Sequence, residues 1–511
     1  MIKFSGRILQ FGFGAVGKSF FEKLSKEISY NENNYYVITG DDSEFKAYVN
    51  LGGIIPNFIV GIINKENFAE VFGRYIGSGD MLIDFADTVG TKDICRWCAQ
   101  NNIMYINTGE ADWPENWYSI LDENLLKVAM KEEFKDIKVP IVLQHGNNPG
   151  LVSHFVKRGL EYIVEKQFKS KRTCLGKNSN KRLKEKQLDY KWLHKLIEEG
   201  KFNELAKALG VRMIHVNDID TQQVSEPYNP DKLYTTWCMD SFWFEMLSEA
   251  TCNIGHHEQL EFNDACKRVD RKNGFLEFEK LAADKRCKTI YPGGAFEGYL
   301  VPHEETITIS KGLEVSKTNE AGQVESEYRP TVMFIYSPCD YATRYFKEAK
   351  VNDYPNPDPN KPQDKEDLLG DSIIRGYKYP KNFEMLYQEK ISAGTEYVGV
   401  LIMGENFDPV WVGNRVEMKY LNKSKKASYW QTPTITPVAM SALAAVCWMI
   451  KNKDKGGIYF PDDIKDYGYI IGLAEKYISK TIYKTFAKEE LEKEIGVDSV
   501  RVQLQDVFAE T

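Results

Sequence analysis

The chain has 511 residues, a length at which we expect two or three domains rather than one hydrophobic core. Its net charge of -8 argues against nucleic acid as the main partner, because binding to phosphates requires clustered Lys and Arg. No run reaches the roughly 18 apolar residues of a membrane-spanning helix, so no membrane partner is expected. The nine scattered cysteines, with no recognisable secretory signal, indicate a reducing compartment and a cytoplasmic location.

The first predicted unit is a strand, a glycine turn and a helix. The apolar run Arg7 to Phe11 leads into the turn, and apolar residues then recur at helical spacing up to Ile28. In a dinucleotide-binding unit the first glycine makes the tight turn, the second admits the pyrophosphate and the third lets the helix pack on the strand. A glycine turn of purely structural purpose is the alternative. The predicted cofactor-binding residues are Gly12, Gly14, Ala15, Val16 and Gly17.

A second predicted strand, Tyr35 to Thr39, ends in the acidic turn Gly40-Asp41-Asp42-Ser43. An acid at this position accepts hydrogen bonds from the ribose hydroxyls of NAD, whereas NADP sites usually place an arginine there. Asp41 therefore favours NAD as the cofactor. An acidic turn without a ligand is the alternative interpretation.

Three further predicted strands end in polar turns, and helices separate them. This alternation predicts a doubly wound parallel sheet, in which a ligand lies beyond the carboxyl ends of the strands. The side chains expected near that cleft are Asp87 and Thr88 after Met81 to Phe85, Glu110 after Ile103 to Ile106, and Asn148 after Val139 to Leu143. A nicotinamide site lined by carboxylates suits an amine substrate better than an anionic one.

The predicted fold class is α/β, with an N-terminal Rossmann-like doubly wound sheet and a second α+β substrate domain. We expect the nucleotide-binding domain over residues 1–149 and the substrate domain over 150–432. Residues 433–511 are expected to form a helical segment that packs back on the first domain. Low-hydrophobicity stretches indicate loop insertions near residues 165–186 and 352–366.

Within the second domain, turn-punctuated sequence from Thr289 to Tyr336 predicts an antiparallel sheet. His303 lies inside this strand-like run, where a lone histidine is more often structural than a ligand. A hairpin is predicted from Val398 to Met403 and Trp411 to Lys419.

A second concentration of function-like residues lies between Tyr234 and Glu258. Trp237, Ser241 and Glu245 recur every four residues, which on a helix places them on one face. An indole and a carboxylate on one surface would suit an ammonium group, although an aromatic residue at this spacing is more often part of the core. His256-His257-Glu258 has no third ligand at a recognisable spacing, so no metal is predicted.

Six stretches that follow one another along most of the chain resemble bacterial-type homospermidine synthases, relatives of the saccharopine dehydrogenases. Matches in order over most of a chain are more specific than any single motif. The stretches are His145 to Leu160, Ile214 to Gln222, Thr235 to Glu245, Tyr328 to Ala342, Gly394 to Gly404 and Ser441 to Ile458.

The resemblance implies an NAD-dependent aminobutyl transfer with no net redox change. Putrescine or spermidine would lose hydride to NAD and become an imine. A second putrescine would attack that imine, releasing ammonia or 1,3-diaminopropane, and the retained hydride would reduce the new imine to homospermidine. The resemblance also implies a homodimer.

The same resemblance implies that Trp237 stacks on the substrate ammonium and that Glu245 binds the amine. Asp87 and Glu110 would line a cationic tunnel. The other implied site residues are Asn148, Asp218 and His303. Asp218 stands where the family usually has glutamate, so its side chain is one methylene shorter, which bears on pocket length and on the diamine that fits.

Two alternatives stay open. A saccharopine or carboxynorspermidine dehydrogenase-like imine reductase would share the fold, but carboxylated substrates need cationic partners. A non-catalytic NAD-binding sensor would need no pairing of an ammonium site with a nicotinamide site.

Overall fold

The computed structural model describes residues 1–50, 52–86, 89–113, 133–134, 136–169, 189–259, 266–318, 322, 324–351, 373–421 and 430–509. Asp87 and Thr88 lie outside the described residues, as do residues 170–186 and 352–366 of the two predicted insertions. Among the described residues, no helix combines the length and the apolar character needed to cross a membrane.

Seven parallel strands form the first sheet. From one edge to the other they are Gly457–Tyr459, Pro140–Val142, Met104–Asn107, Met81–Asp84, Ile8–Phe11, Tyr35–Thr39 and Asn57–Val60. In chain order the first six strands run 3-2-1-4-5-6 across the sheet, which is the doubly wound order of dinucleotide-binding domains. From Ile8–Phe11 the next strands in the chain are added on one side, and from Met81–Asp84 they are added on the other side. A ligand is therefore expected at the carboxyl ends of these two strands, where the strand order reverses.

This sheet confirms the predicted α/β fold class, and its strands are buried as parallel strands usually are. Two of its strands were not predicted. Asn57–Val60 is a half-buried edge strand that lacks a long apolar run. Gly457–Tyr459 is only three residues long, and it comes from the segment after residue 433, which was expected to be helical.

Ten strands form the second sheet, which lies mostly in the part of the chain after residue 210. The main path is Cys266–Asp270, Phe275–Leu281, Glu249–Asn253, Thr331–Ser337, Val211–Asp220, Thr395–Gly404, Val410–Glu417 and Ile482–Thr485, with Arg286–Tyr291 and Gly294–Leu300 branching from Thr331–Ser337. Within the described residues, five two-stranded pairs lie outside the two large sheets: Ile2–Lys3 with Ile28–Ser29, Gln223–Val224 with Ile391–Ala393, Lys232–Thr235 with Asn382–Met385, Val315–Thr318 with Val324–Tyr328, and Ile373–Ile374 with Tyr377–Lys378.

The predicted hairpin is confirmed, because Thr395–Gly404 pairs antiparallel with Val410–Glu417. The purely antiparallel sheet predicted from Thr289 to Tyr336 is wrong. A helix, Glu304–Gly312, interrupts that stretch, and Thr331–Ser337 pairs in parallel with Val211–Asp220. The sheet is therefore mixed. The local sequence pattern did not predict this, because the parallel partner of Thr331–Ser337 lies far away in the chain.

The helices pack on both sheets and between them. They are Ala15–Glu27, Ser43–Asn50, Phe68–Gly73, Thr91–Gln100, Leu151–Ile163, Tyr190–Glu198, Phe202–Leu209, Met239–Leu247, Glu304–Gly312, Asp340–Ala349, Met418–Leu421, Ile435–Lys451, Tyr467–Ala474 and Lys488–Ile495. Ile435–Lys451 is buried along nearly its whole length and packs on Ala15–Glu27.

Candidate active site

The three glycines of the first turn occupy three different environments. Gly12 has φ +90 and donates its N–H to the carbonyl of Ile38 at 2.9 Å, so it makes the turn. A Cβ on Gly17 would lie 2.6 Å from the carbonyl oxygen of Gly12, so the helix packs directly on the strand. A Cβ on Gly14 would have no atom within 4 Å. The turn is thus open only at the second glycine, where a pyrophosphate would approach the helix N-terminus.

Asp41 lies just beyond Tyr35–Thr39, the neighbour of the glycine-turn strand, and it is exposed. Its carboxylate accepts hydrogen bonds from the hydroxyl and the N–H of Ser43, and these hold the pKa of Asp41 below its ordinary value. An ionised acid at this strand end fits a ribose diol. Ala15 and Val16 lie in the first turn of the helix. That these residues bind the cofactor stays a prediction.

The second sheet carries a buried group of acids. Asp218 and Asp220 lie two residues apart on Val211–Asp220, so they share one face of the sheet. Glu396, on the adjacent strand, lies directly opposite Asp220. We call the carboxyl-bearing residues that gather here, around His303, the acid cluster: Asp218, Asp220, Glu245, Glu304, Glu305 and Glu396.

His303 is the cation inside the acid cluster. It is the N-cap of Glu304–Gly312, with extended backbone, rather than a strand residue as predicted. Its ring stacks on Phe334 with centroids 4.0 Å apart, and its Nδ1 contacts the Glu305 carboxylate. Burial alone would lower the pKa of His303, but the carboxylates of Glu305, Glu304 and Glu245 raise it to about 10. The imidazole is therefore held as a cation.

One cation does not neutralise six acids, and burial disfavours the ionised form of the remaining carboxyl groups. Burial raises the pKa of Asp218 to about 7 and the pKa of Glu245 to about 8. Burial, with Asp218 and Asp220 adding to it, also raises the pKa of Glu396 well above its ordinary value. A bound cation would reverse these shifts, because an opposite charge favours the ionised carboxylate.

Asn148 reaches the acid cluster from the nucleotide-binding sheet. Its Nδ2 donates to Asp218 Oδ2 at 2.7 Å. Trp237 lies near the same acid through Tyr336. Its Nε1 donates to the Tyr336 hydroxyl at 3.2 Å, and Tyr336 is paired with Asp218 on the adjacent strand. The structure thus brings Asn148, Trp237 and Asp218 together.

The helical spacing predicted for Trp237 is wrong. Met239–Leu247 begins two residues later, and its N-cap Cys238 has extended backbone, so Trp237 lies outside the helix that carries Ser241 and Glu245. Trp237 and Glu245 instead share a neighbour. The pKa of Tyr336 is raised by burial and by Asp218, Asp220 and Glu245, while its hydroxyl accepts from Trp237.

Glu110 joins the same region through its main chain, whose N–H donates to Glu304 Oε1 at 3.2 Å. Four members of the acid cluster were not predicted as site residues: Asp220, Glu304, Glu305 and Glu396. The alternation of acids at Asp218 and Asp220 was a usable signal, and so was the acid pair directly after His303. Glu396 offered none, because a single acid at the start of a strand is common on exposed surfaces.

The side chains of the acid cluster and Trp237 indicate which kind of ligand fits. Ligand atoms of His303, Glu304 and Glu305 lie within 4.8 Å of one another, a spacing that a metal ion could also use. An indole beside carboxylates is instead typical of an ammonium site, since the ring face attracts organic cations. The arrangement can bind amines, and acids whose pKa lies near neutrality can exchange protons with them.

The raised pKa values predict that the protein loses stability as pH rises from 6 to 9. The stability that protonated Asp218 contributes is present below its ordinary pKa and is lost as pH rises through about 7, and that of Glu245 is lost through about 8. The contribution of charged His303 is lost toward pH 10, so all three effects have the same sign. Melting temperatures at these pH values, with and without putrescine, measure this. We expect the stabilisation by putrescine to grow with pH.

Asp218→Asn is the control for this prediction, because it removes one of the titrating groups. We expect a flatter decline of the melting temperature with pH in that variant. Parallel pH curves for the wild type and the variant would contradict the prediction.

Several known proteins are similar to this chain in sequence. Residues 8–192 match the family described as "Saccharopine dehydrogenase NADP binding domain". A homospermidine synthase of Mesorhizobium japonicum is 24% identical over 486 residues, which cover 93% of this chain and 89% of that protein. One of Blastochloris viridis is 23% identical over 492 residues, covering 94% and 91%.

A solved structure has the same fold over the whole chain. The homospermidine synthase of Legionella pneumophila, in complex with NAD, superposes with a TM-score of 0.76 at 24% identity, covering 100% of this chain and 99% of that one. The matched family covers the glycine turn and the first sheet, and the curated relatives extend through the acid cluster. The chain is therefore similar over nearly its whole length to proteins named homospermidine synthases, and residues 8–192 match the saccharopine dehydrogenase nucleotide-binding domain.

Proposed function

We propose that this protein is an NAD-dependent homospermidine synthase, which transfers an aminobutyl group from putrescine or spermidine to putrescine. The observation that carries the proposal is the buried acid cluster, which lies next to the dinucleotide-binding sheet through the bond from Asn148 to Asp218. Homologous proteins of nearly equal length are named homospermidine synthases, which supports the assignment.

The charge of the cluster favours polyamines over carboxylated substrates. Burial raises the pKa of Glu245, and the carboxylates of Glu304, Asp218 and Glu305 raise it further. The His303 cation lowers it. A substrate carboxylate placed here would be repelled, whereas an ammonium group would gain charge-assisted hydrogen bonds. This argues against a saccharopine dehydrogenase-like imine reductase. A non-catalytic sensor would have no use for acids placed beside a nicotinamide.

In the proposed reaction NAD supplies the hydride acceptor and then returns the hydride. The protein's own residues bind and orient the amines. Trp237 offers an indole face to an ammonium group, and Glu245 offers a carboxylate. Asp218, with a pKa raised by burial to about 7, is suited to take a proton from an ammonium group and free the amine for attack. Burial of the cluster also keeps water away from imines, which hydrolyse readily.

NAD rather than NADP is proposed as the cofactor. The turn after Tyr35–Thr39 carries Asp41 and Asp42, and a carboxylate there would repel a 2′-phosphate. The Legionella structure contains NAD, which agrees with this choice. Asp87 and Thr88 complete the proposed cofactor and tunnel surface.

Three further points belong to the proposal. The domain boundaries are 1–149, 150–432 and 433–511, the protein is a homodimer, and it acts in the cytoplasm. Light scattering after size-exclusion chromatography tests the dimer directly.

The test of the function is to incubate the purified protein with putrescine and NAD, follow NADH absorbance and identify polyamines by mass. We expect homospermidine and ammonia, with no accumulating NADH. The same assay with spermidine in place of the first putrescine should release 1,3-diaminopropane. Steady NADH accumulation would instead indicate an amine dehydrogenase, and the absence of any product would contradict the proposal.

A further inference from the structure

Gln144 has an unusual backbone conformation at the edge of the proposed site. It follows the strand Pro140–Val142 and has φ +59, in the left-handed region that side chains other than Gly, Asn and Asp rarely adopt. The residue is completely buried. Non-glycine residues in this conformation tend to occur where function requires them.

The contacts of Gln144 suggest what that requirement is. Its backbone N–H donates to Asn107 Oδ1 at 2.7 Å, which ties it to the end of the neighbouring strand Met104–Asn107. Its side-chain Nε2 donates to Glu110 Oε1 at 3.3 Å. The main-chain N–H of Glu110 in turn donates to Glu304 in the acid cluster. Gln144 is thus a buried amide that holds a carboxylate at the margin of the cluster.

The length of the side chain explains why glutamine occupies this position. Asparagine would adopt the left-handed conformation at lower cost, but its amide is one methylene shorter. Glycine would adopt it most easily and would have no amide at all. The chain has glutamine here, although its backbone cost in this conformation is higher. Of glutamine, asparagine and glycine, only glutamine can make the contact with Glu110.

We propose that Gln144 is a positioning residue for polyamine binding, which holds the Glu110 carboxylate toward the acid cluster. The inference rests on the proposed function, because it treats Glu110 as a carboxylate that meets a substrate ammonium. An amide donor fixes the orientation of the carboxylate without neutralising its charge. The carboxylate therefore stays available to the cationic substrate in one orientation.

Two substitutions separate this role from a structural one. Gln144→Asn keeps an amide and relieves the backbone, so we expect a melting temperature equal to or above that of the wild type. Because the shorter amide does not reach Glu110, KM for putrescine should rise about tenfold while kcat changes less than threefold. Gln144→Met keeps the side-chain volume and removes the donor, and the same KM change is expected.

Asn102→Gly is the matched control. Asn102 also has a left-handed backbone, with φ +53, but it precedes Met104–Asn107, at the opposite end of that strand from Asn107. We expect wild-type kinetics in this variant. All variants should bind NAD as the wild type does, measured by titration without polyamine.

The outcomes distinguish the two proposals. If the wild type makes homospermidine and Gln144→Asn shows a wild-type KM, the positioning role is refuted and the proposed function stands. If kcat falls and KM does not change, Gln144 does not act through substrate binding, and the inference is again overturned. If the wild type makes no homospermidine, the proposed function itself fails.

Discussion

Replacement of Glu245 by glutamine is expected to lower the rate of homospermidine formation by a factor of about a hundred to several thousand, with NAD binding unchanged. Glu245 is the member of the acid cluster whose pKa burial raises to about 8. A bound ammonium would keep it ionised. Glutamine has nearly the same shape but no charge, so the variant would leave the substrate cation in a buried site without its partner.

The size of the effect follows from the cost of breaking a buried ion pair by removing one partner, about 3–5 kcal/mol. Since about 1.4 kcal/mol corresponds to a tenfold change in rate, this range corresponds to a factor of about a hundred to several thousand. The rates should be compared at pH 8.5, where the wild-type carboxyl is largely ionised.

Glu279→Gln is the matched control, because Glu279 lies on the exposed side of Phe275–Leu281 in the same sheet. We expect this variant to keep the wild-type rate. A Glu245→Gln variant with more than a tenth of the wild-type rate would show that the carboxylate does not bind the reacting amine.

Gly14→Val is expected to weaken NAD binding by about a hundredfold or more while the protein stays folded. The backbone of Gly14, at φ -68 and ψ -163, is open to any residue, and a Cβ there would contact no other atom within 4 Å. The fold therefore tolerates the side chain. The same open space is where a pyrophosphate would lie on the helix N-terminus, so the valine would take the place of the cofactor.

Titration of NAD, followed by intrinsic fluorescence, measures this effect, and circular dichroism reports the fold. Gly472→Val is the matched control, because a Cβ on Gly472 would also contact nothing within 4 Å and Gly472 lies in another helix, Tyr467–Ala474. That variant should bind NAD normally. Unchanged NAD affinity in Gly14→Val would place the cofactor elsewhere.

The sequence by itself determined five of the seven strands of the nucleotide-binding sheet. Short sequence patterns predict the glycine turn and the strands that follow it, because turn geometry and side-chain periodicity depend on neighbouring residues. The right-handed connection between parallel strands then leaves few possible strand orders. Asp41, Glu110 and Asn148 were predicted to line the cleft for the same reason, because each lies in the turn after a predicted strand.

Only the tertiary structure showed that the residues of the acid cluster lie together. Its members come from a strand, a helix, a helix N-terminus and a neighbouring strand, separated by up to 178 residues between Asp218 and Glu396. Local patterns placed His303 in a strand and Trp237 on a helix, and both assignments were wrong because each residue lies just before a helix begins. The burial that raises the pKa of Asp218 and Glu245 depends on residues far apart in the chain, so no local pattern could reveal it.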